Sequence, residues 1–190
     1  MGEESKREHI TEAALKLFSE KGYHQTTVTE IAKQADVAKG TVYWYFESKK
    51  DLFRGILISG IKEMNQNIKN KIKGDFSPSE KIEQIIFLYL KFFANSKEMS
   101  KMYEENSSGI DPEFKKQLVS LRQEAVDLIG QVVKEGQQTG DFTEKVDYQE
   151  AASLLLGMIS VYNPHFCEDN ELNLGKVETI KDLFLHGLFS

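Results

Sequence analysis

The stretch from Thr26 to Lys50, TTVTEIAKQADVAKGTVYWYFESKK, reads as two short helices joined by a tight turn. Thr27 can cap the first helix, and Glu30, three residues on, can reach back as the second half of a capping box. Ile31, Ala32, Ala35 and Val37 are small or branched, which suits one helix crossing another at short range. The second helix opens on Lys39, Gly40 and Thr41: a cation, a position without a side chain, and a hydroxyl. Val42 and Phe46 lie four residues apart and can both pack inward. Tyr43, Trp44 and Tyr45 cannot all face inward with them. Two crossed helices whose second member keeps a polar and aromatic outer face imply double-stranded DNA as ligand.

The chemistry of that outer face can be taken residue by residue. Gly40 lets the backbone approach a base edge or phosphate where a Cβ would collide. Lys39 can place its cation against guanine acceptors or a phosphate, and Thr41 can hydrogen-bond or touch a thymine methyl. Tyr43 offers a flat apolar ring with a hydroxyl tip.

Charge is distributed in keeping with this. The chain has 190 residues and a formal net charge of -6, which argues against a protein that coats polyanions. From Met1 to Arg54 nine basic residues balance nine acidic ones, so the acidic excess lies in the remainder. A neutral head on an acidic body suits a reader that uses a small contact face. The single cysteine, Cys167, excludes an intramolecular disulfide. No apolar run approaches the roughly 18 residues of a membrane span, and the charged N-terminus lacks the apolar core of a signal peptide. The expected location is the cytoplasm, with no membrane partner.

Helical periodicity continues on both sides of the opening stretch. Ile10, Ala13, Ala14, Leu17 and Phe18 form one apolar stripe, and Gly22 stops that helix. Ser48 and Asp51 open a long helix with apolar positions from Leu52 to Ile68 that runs to about Ile72. The segment from Gly74 to Pro78 is the clearest break in the chain. Further helices are expected near residues 79–95, 97–106, 112–138, 148–162 and 175–188. The fold class is therefore all-α. The expected division is residues 1–50 as the DNA-binding part and 51–190 as a second helical domain, the long helix joining them without a flexible linker.

Residues 7–53, with RxxI followed by AALxLFxxKGYxxTTVxxIAxxADVAKGTVYxYFxSKxxL, resemble the DNA-binding domain of the TetR family of transcriptional regulators. The resemblance implies a homodimer that binds a palindromic operator and is released when a small molecule enters the C-terminal domain. It implies base contacts from Lys39, Gly40, Thr41 and Tyr43, and phosphate contacts from Thr27, Trp44, Tyr45 and Lys49. Lys49 also stands in the first turn of a helix whose amides favour a phosphate. Trp44 and Tyr45 depart from the tyrosine and histidine frequent in the family, which leaves the operator sequence open.

In the second half the resemblance implies a cavity for an apolar or amphipathic effector. Its candidate walls are Phe87, Phe92, Met99, Met102, Tyr103, Phe114, Tyr162 and Phe166, which as single residues read more readily as bundle core. The last two helices are apolar on more than one side and so need a second partner. The resemblance implies that they pair with their twofold mates as a four-helix bundle, with Leu155, Met158, Ile159, Ile180, Phe184 and Leu188 as the candidates for the dimer interface. Catalysis finds no support: nucleophile-elbow, phosphate-loop and paired-carboxylate motifs are missing, and no cofactor is implied. Of the four histidines only His165, two residues from Cys167, resembles a metal-ligand pair, and no metal is expected. The expected function is a ligand-responsive repressor. Its rivals are an effector-independent or activating regulator of the same fold, and a helical ligand-binding protein with a vestigial head.

Overall fold

The computed structural model describes residues 3–95, 112–163 and 173–188. Within them the chain is helical throughout, without strands. The helices are α1 (Glu3–Lys21), α2 (Val28–Gln34), α3 (Lys39–Tyr45), α4 (Lys49–Lys71), α5 (Pro78–Asn95), α6 (Pro112–Thr139), α7 (Tyr148–Ser160) and α8 (Leu174–Leu188). The helix expected over 97–106 lies outside the described residues, as do Met99, Met102, Tyr103, His165, Phe166 and Cys167.

The first turns follow from local chemistry. Gly22, at φ +80°, takes the left-handed conformation that ends α1 and donates to Phe18 O at 2.8 Å. Thr26 is wholly buried, with its hydroxyl 2.8 Å from Gly22 O and 3.2 Å from Leu17 O. Thr27 then caps α2 in the full capping box, donating its backbone N–H to Glu30 Oε2 at 2.9 Å and accepting from Glu30 N at 3.2 Å. Asp36 makes the turn into α3 at φ +52°, a left-handed position that a short polar side chain tolerates better than a branched one. Ser48 caps α4 by accepting from Asp51 N at 3.0 Å, and the Asp51 carboxylate accepts in return from Glu47 N at 3.1 Å.

These elements enclose two apolar cores. The head core joins Ile10, Leu17 and Phe18 of α1 to Ile31, Val42 and Phe46, and is closed by Leu52, Phe53 and Ile56 of α4. The body core is built on Ile68, Ile82, Ile85, Ile86, Ile129, Val133 and Leu155. In the body α6 packs along α4, α5 and α7, and α5 packs along α8. Because α4 supplies Leu52, Phe53 and Ile56 to one core and Met64 and Ile68 to the other, the head and body are joined by a continuous rod.

The apolar faces of α7 and α8 are arranged differently from the sequence expectation. Leu155, Ile159, Ile180 and Phe184 are between 0% and 5% exposed and belong to the body core of their own chain. Within the single chain they are covered by the neighbouring helices of the body. Met158 is half-buried, and the side chain of Leu188 lies outside the described residues. The residues left open are Leu154 (59% exposed), Gly157 and Val161 on α7 and Leu183 (65% exposed) on α8. Leu154, Gly157, Met158 and Val161 follow i, i+3, i+4, i+7 spacing, so they make a second stripe on the far side of the same helix.

Candidate nucleic-acid interface

α3 buries Val42 and, just past its end, Phe46, and both join the head core. That leaves Lys39, Gly40, Tyr43 and Trp44 outward, at positions that stack in two pairs one turn apart. Tyr43 is 48% exposed and Trp44 67% exposed, although large aromatic side chains are seldom left in water. The Lys39 ammonium stands 5.9 Å from the centre of the Tyr43 ring, so charge and ring occupy one patch. Thr41 is half-buried beside them. Tyr45 packs against the head core and holds Trp44 edge-on at a centroid distance of 4.5 Å.

Thr27 and Lys49 have assignments within the fold. The Thr27 hydroxyl serves the capping box, donating to Glu30 Oε2 at 2.9 Å while it receives the Glu30 N–H. The Glu30 carboxyl is pulled down to about 2, first by its hydrogen bond from Lys21 at 2.9 Å and then by those from Thr27. This group lies below its ordinary value in the folded protein, so its contribution is complete above the usual carboxylate range and is lost on acidification toward pH 2. A Glu30→Gln variant is accordingly expected to show a shallower loss of stability between about pH 4.5 and 2 in acid denaturation.

Lys49 turns inward. Its ammonium donates to Tyr23 O at 2.8 Å and Thr26 O at 2.9 Å and lies 4.2 Å from the centre of the Tyr23 ring. Burial lowers its pKa from the usual lysine value. The resemblance places Lys49 at a phosphate; in the structure two of its donors tie the start of α4 to the turn that sets α2. The Tyr23 carbonyl, which also accepts from Thr26 N at 3.2 Å, and the Thr26 carbonyl attract the cation more closely than open solvent does. Lys49→Met is expected to lower stability in denaturant by about 1.5–3 kcal/mol while leaving the salt dependence of DNA binding at the parent slope. A slope reduced by about one would return Lys49 to a phosphate.

Of the effector candidates that can be placed, three pack against the body core and one stands apart from it. Phe87 and Phe92 of α5 and Tyr162 beyond α7 are half-buried against the body core. Phe114, in the first turn of α6, is buried apart from both cores, with the Arg54 guanidinium 5.0 Å from its ring centre. Sequence reasoning also passed over Asn65, which is 1% exposed on α4 and surrounded in sequence by residues typical of a helix surface.

A helix-turn-helix head with an open second helix, held on a helical body by a shared rod, defines a DNA-binding transcriptional regulator. Residues 10–56 match the family model "Bacterial regulatory proteins, tetR family", and residues 75–163 match "Tetracyclin repressor-like, C-terminal domain". The chain belongs to the TetR family of transcriptional regulators. It is 26% identical over 150 residues to the fatty acid metabolism regulator protein of Bacillus subtilis, a match spanning 79% of this chain and 77% of that protein. A TetR/AcrR-family transcriptional regulator from Thermobifida fusca superposes with a TM-score of 0.79 at 26% identity, over 96% of this chain and 98% of the other. The transcriptional regulator FadR from Bacillus subtilis, solved in complex with stearoyl-CoA, shares the fold at 22% identity with a TM-score of 0.75, over 95% of this chain and 98% of that one. Among the described residues no helix is long and apolar enough to cross a membrane.

Proposed function

We propose that the chain is a dimeric repressor that reads a palindromic operator through α3 and releases it when a long-chain acyl thioester binds the body. The observation that carries the DNA half is the open Lys39, Gly40, Tyr43 and Trp44 face. A Cβ built on Gly40 would meet nothing within 4 Å, so the fold itself does not require glycine there, whereas a base edge or phosphate pressed against the helix does. In this reading Lys39, Gly40, Thr41 and Tyr43 touch bases, and Thr27, Trp44 and Tyr45 contact the backbone. Tyr43→Ala is expected to weaken specific binding by about 1–3 kcal/mol without altering affinity for unrelated DNA.

The dimer reading is carried by the exposed stripe of Leu154, Gly157, Met158 and Val161 beside Leu183, which a second copy would cover by a twofold axis. Two recognition helices would then lie about one DNA turn apart, roughly 34–36 Å. The effector reading draws on the fatty-acid regulator to which the chain is similar and on the stearoyl-CoA bound by the structural neighbour. α4 offers a route for control, since a shift of its body end moves the head rigidly. Purified protein should shift its own upstream DNA at nanomolar concentration with a steep salt dependence, and stearoyl-CoA should release that complex. Operator binding indifferent to stearoyl-CoA would sink the effector half; no shift at all would sink both.

A further inference from the structure

α4 and α6 pack along one another, and polar groups of α4 reach α6 at two levels. Near the head, the Arg54 guanidinium of α4 stands 5.0 Å from the ring centre of Phe114 in the first turn of α6. Further along, Asn65 Nδ2 donates to Leu121 O at 3.0 Å and to Glu124 Oε2 at 3.0 Å, both on α6. Asn65 follows Arg54 by eleven residues, about three helical turns, and Leu121 follows Phe114 by seven, about two. The two contacts therefore lie on one face of each helix, and α4 and α6 run in the same direction.

Asn65 is a costly residue for its position. It is 1% exposed, on a helix whose neighbouring buried positions are Met64 and Ile68. Its Oδ1, also buried, accepts from no group. Turning the amide over would set that oxygen against a carbonyl and a carboxylate, so both hydrogens are committed to α6. A buried acceptor left unmet lowers stability, and an apolar side chain of similar size would avoid that loss. What the amide supplies is direction. Met64 and Ile68 of α4 and Ala125, Leu128 and Val132 of α6 are all core residues without polar side-chain hydrogens. Contacts among such groups are non-directional, so a slide by one turn exchanges one apolar neighbour for another. A pair of hydrogen bonds is made in good geometry at one register only.

We propose that Asn65 fixes the register of α4 against α6 and thereby the stance of the head, which makes it a positioning residue for operator binding. The amide gives up stability for a single arrangement, the use of buried polar groups that is best attested. From Asn65 the helix runs back without a break to Ile56, Phe53 and Leu52 in the head core. A slip of one turn at Asn65 would carry the head about 5.4 Å along the axis of α4. The register rests on geometry within one chain. Its effect on DNA rests on the dimer reading above, in which two heads must meet half-sites at a fixed separation.

Nitroxide labels on Lys69→Cys in α4 and Lys116→Cys in α6, both exposed positions, report the register in a full chain that also carries Cys167→Ser. Dilution with unlabelled protein confines the measured distances to one chain. Pulsed electron resonance is expected to give one narrow distance for the parent and a broadened or displaced one for Asn65→Leu and Glu124→Met. Glu124→Gln keeps an acceptor for Asn65 and is expected to restore the narrow distance. Glu124 is exposed, so its two variants carry the test if Asn65→Leu does not fold. Asn65→Leu should melt at or above the parent temperature, yet bind the operator about tenfold more weakly and a single half-site equally well. It should also lose less affinity than the parent when a base pair is inserted between the half-sites. An unchanged narrow distance in both Asn65→Leu and Glu124→Met overturns the register role, whatever the melting temperature does. A broadened distance with operator affinity at the parent value overturns the link to the head. A parent indifferent to the inserted base pair removes the dimer reading, and the spin-label distance then decides the register alone.

Discussion

Replacing Leu154 and Leu183 together with aspartate is expected to yield a folded monomer whose specific operator binding is weaker by about 10²–10⁴-fold. Both side chains are more than half exposed in the single chain, so charging them removes no packing from the body core. In a dimer the same change would put carboxylates into an apolar interface, where an unpaired charge is poorly tolerated. Once the two heads are no longer linked, each half-site must be found independently, and the advantage of a joined second contact disappears. Sedimentation gives the mass, thermal melting the fold, and a gel shift the affinity. The contrasting variant is Leu155→Ala: it empties a position at 0% exposure in the core and should destabilise by about 2–5 kcal/mol. Should Leu154→Asp/Leu183→Asp remain a dimer with full operator affinity, the outer stripe is not the interface.

Phe18→Ala is expected to cost about 3–5 kcal/mol, a large part of what a domain of this size commands. Phe18 is fully buried in the head, with its ring centre 5.4 Å from that of Tyr23, and Tyr23 in turn lies 5.9 Å from Phe53 of α4. The ring thus sits where α1, the turn after it and α4 converge. The head is small, so it has little neighbouring mass with which to fill the space left behind. Denaturant unfolding should show the loss, and DNA binding should fail at temperatures where the parent still binds. A drop of less than about 1 kcal/mol would mean that the head core repacks far more freely than its burial implies.

The elements that were legible in the sequence share a local cause. Thr27 with Glu30, Ser48 with Asp51, and Gly22 each act within four residues of their own position, so their spacing alone specifies the helix ends. The inward and outward faces of α3 were legible for the same reason, since Val42 and Phe46 must share a side. What escaped depends on neighbours distant in sequence. α7 is apolar on nearly every side, and only the positions of α5, α6 and α8 decide that Leu155 is core while Leu154 is not. A cation opening a helix reads as outward-facing. Lys49 turns inward because two carbonyls, 26 and 23 residues earlier, are folded beneath it. Asn65 is ordinary as a letter and becomes conspicuous only when Leu121 and Glu124 of α6 lock its amide.

The shared rod also sets a rule for grafting. A head cut from another regulator and joined here at residue 50 would leave Leu52, Phe53 and Ile56 of the recipient to close a core they did not evolve with. Exchange of DNA specificity between two such proteins should therefore be spliced inside α4, in the roughly two turns between Ile56 and Met64, where the buried stripe passes from one core to the other. A chimaera joined there inherits a complete reading head and a complete listening body, and differs from both parents only in which message is delivered to which gene.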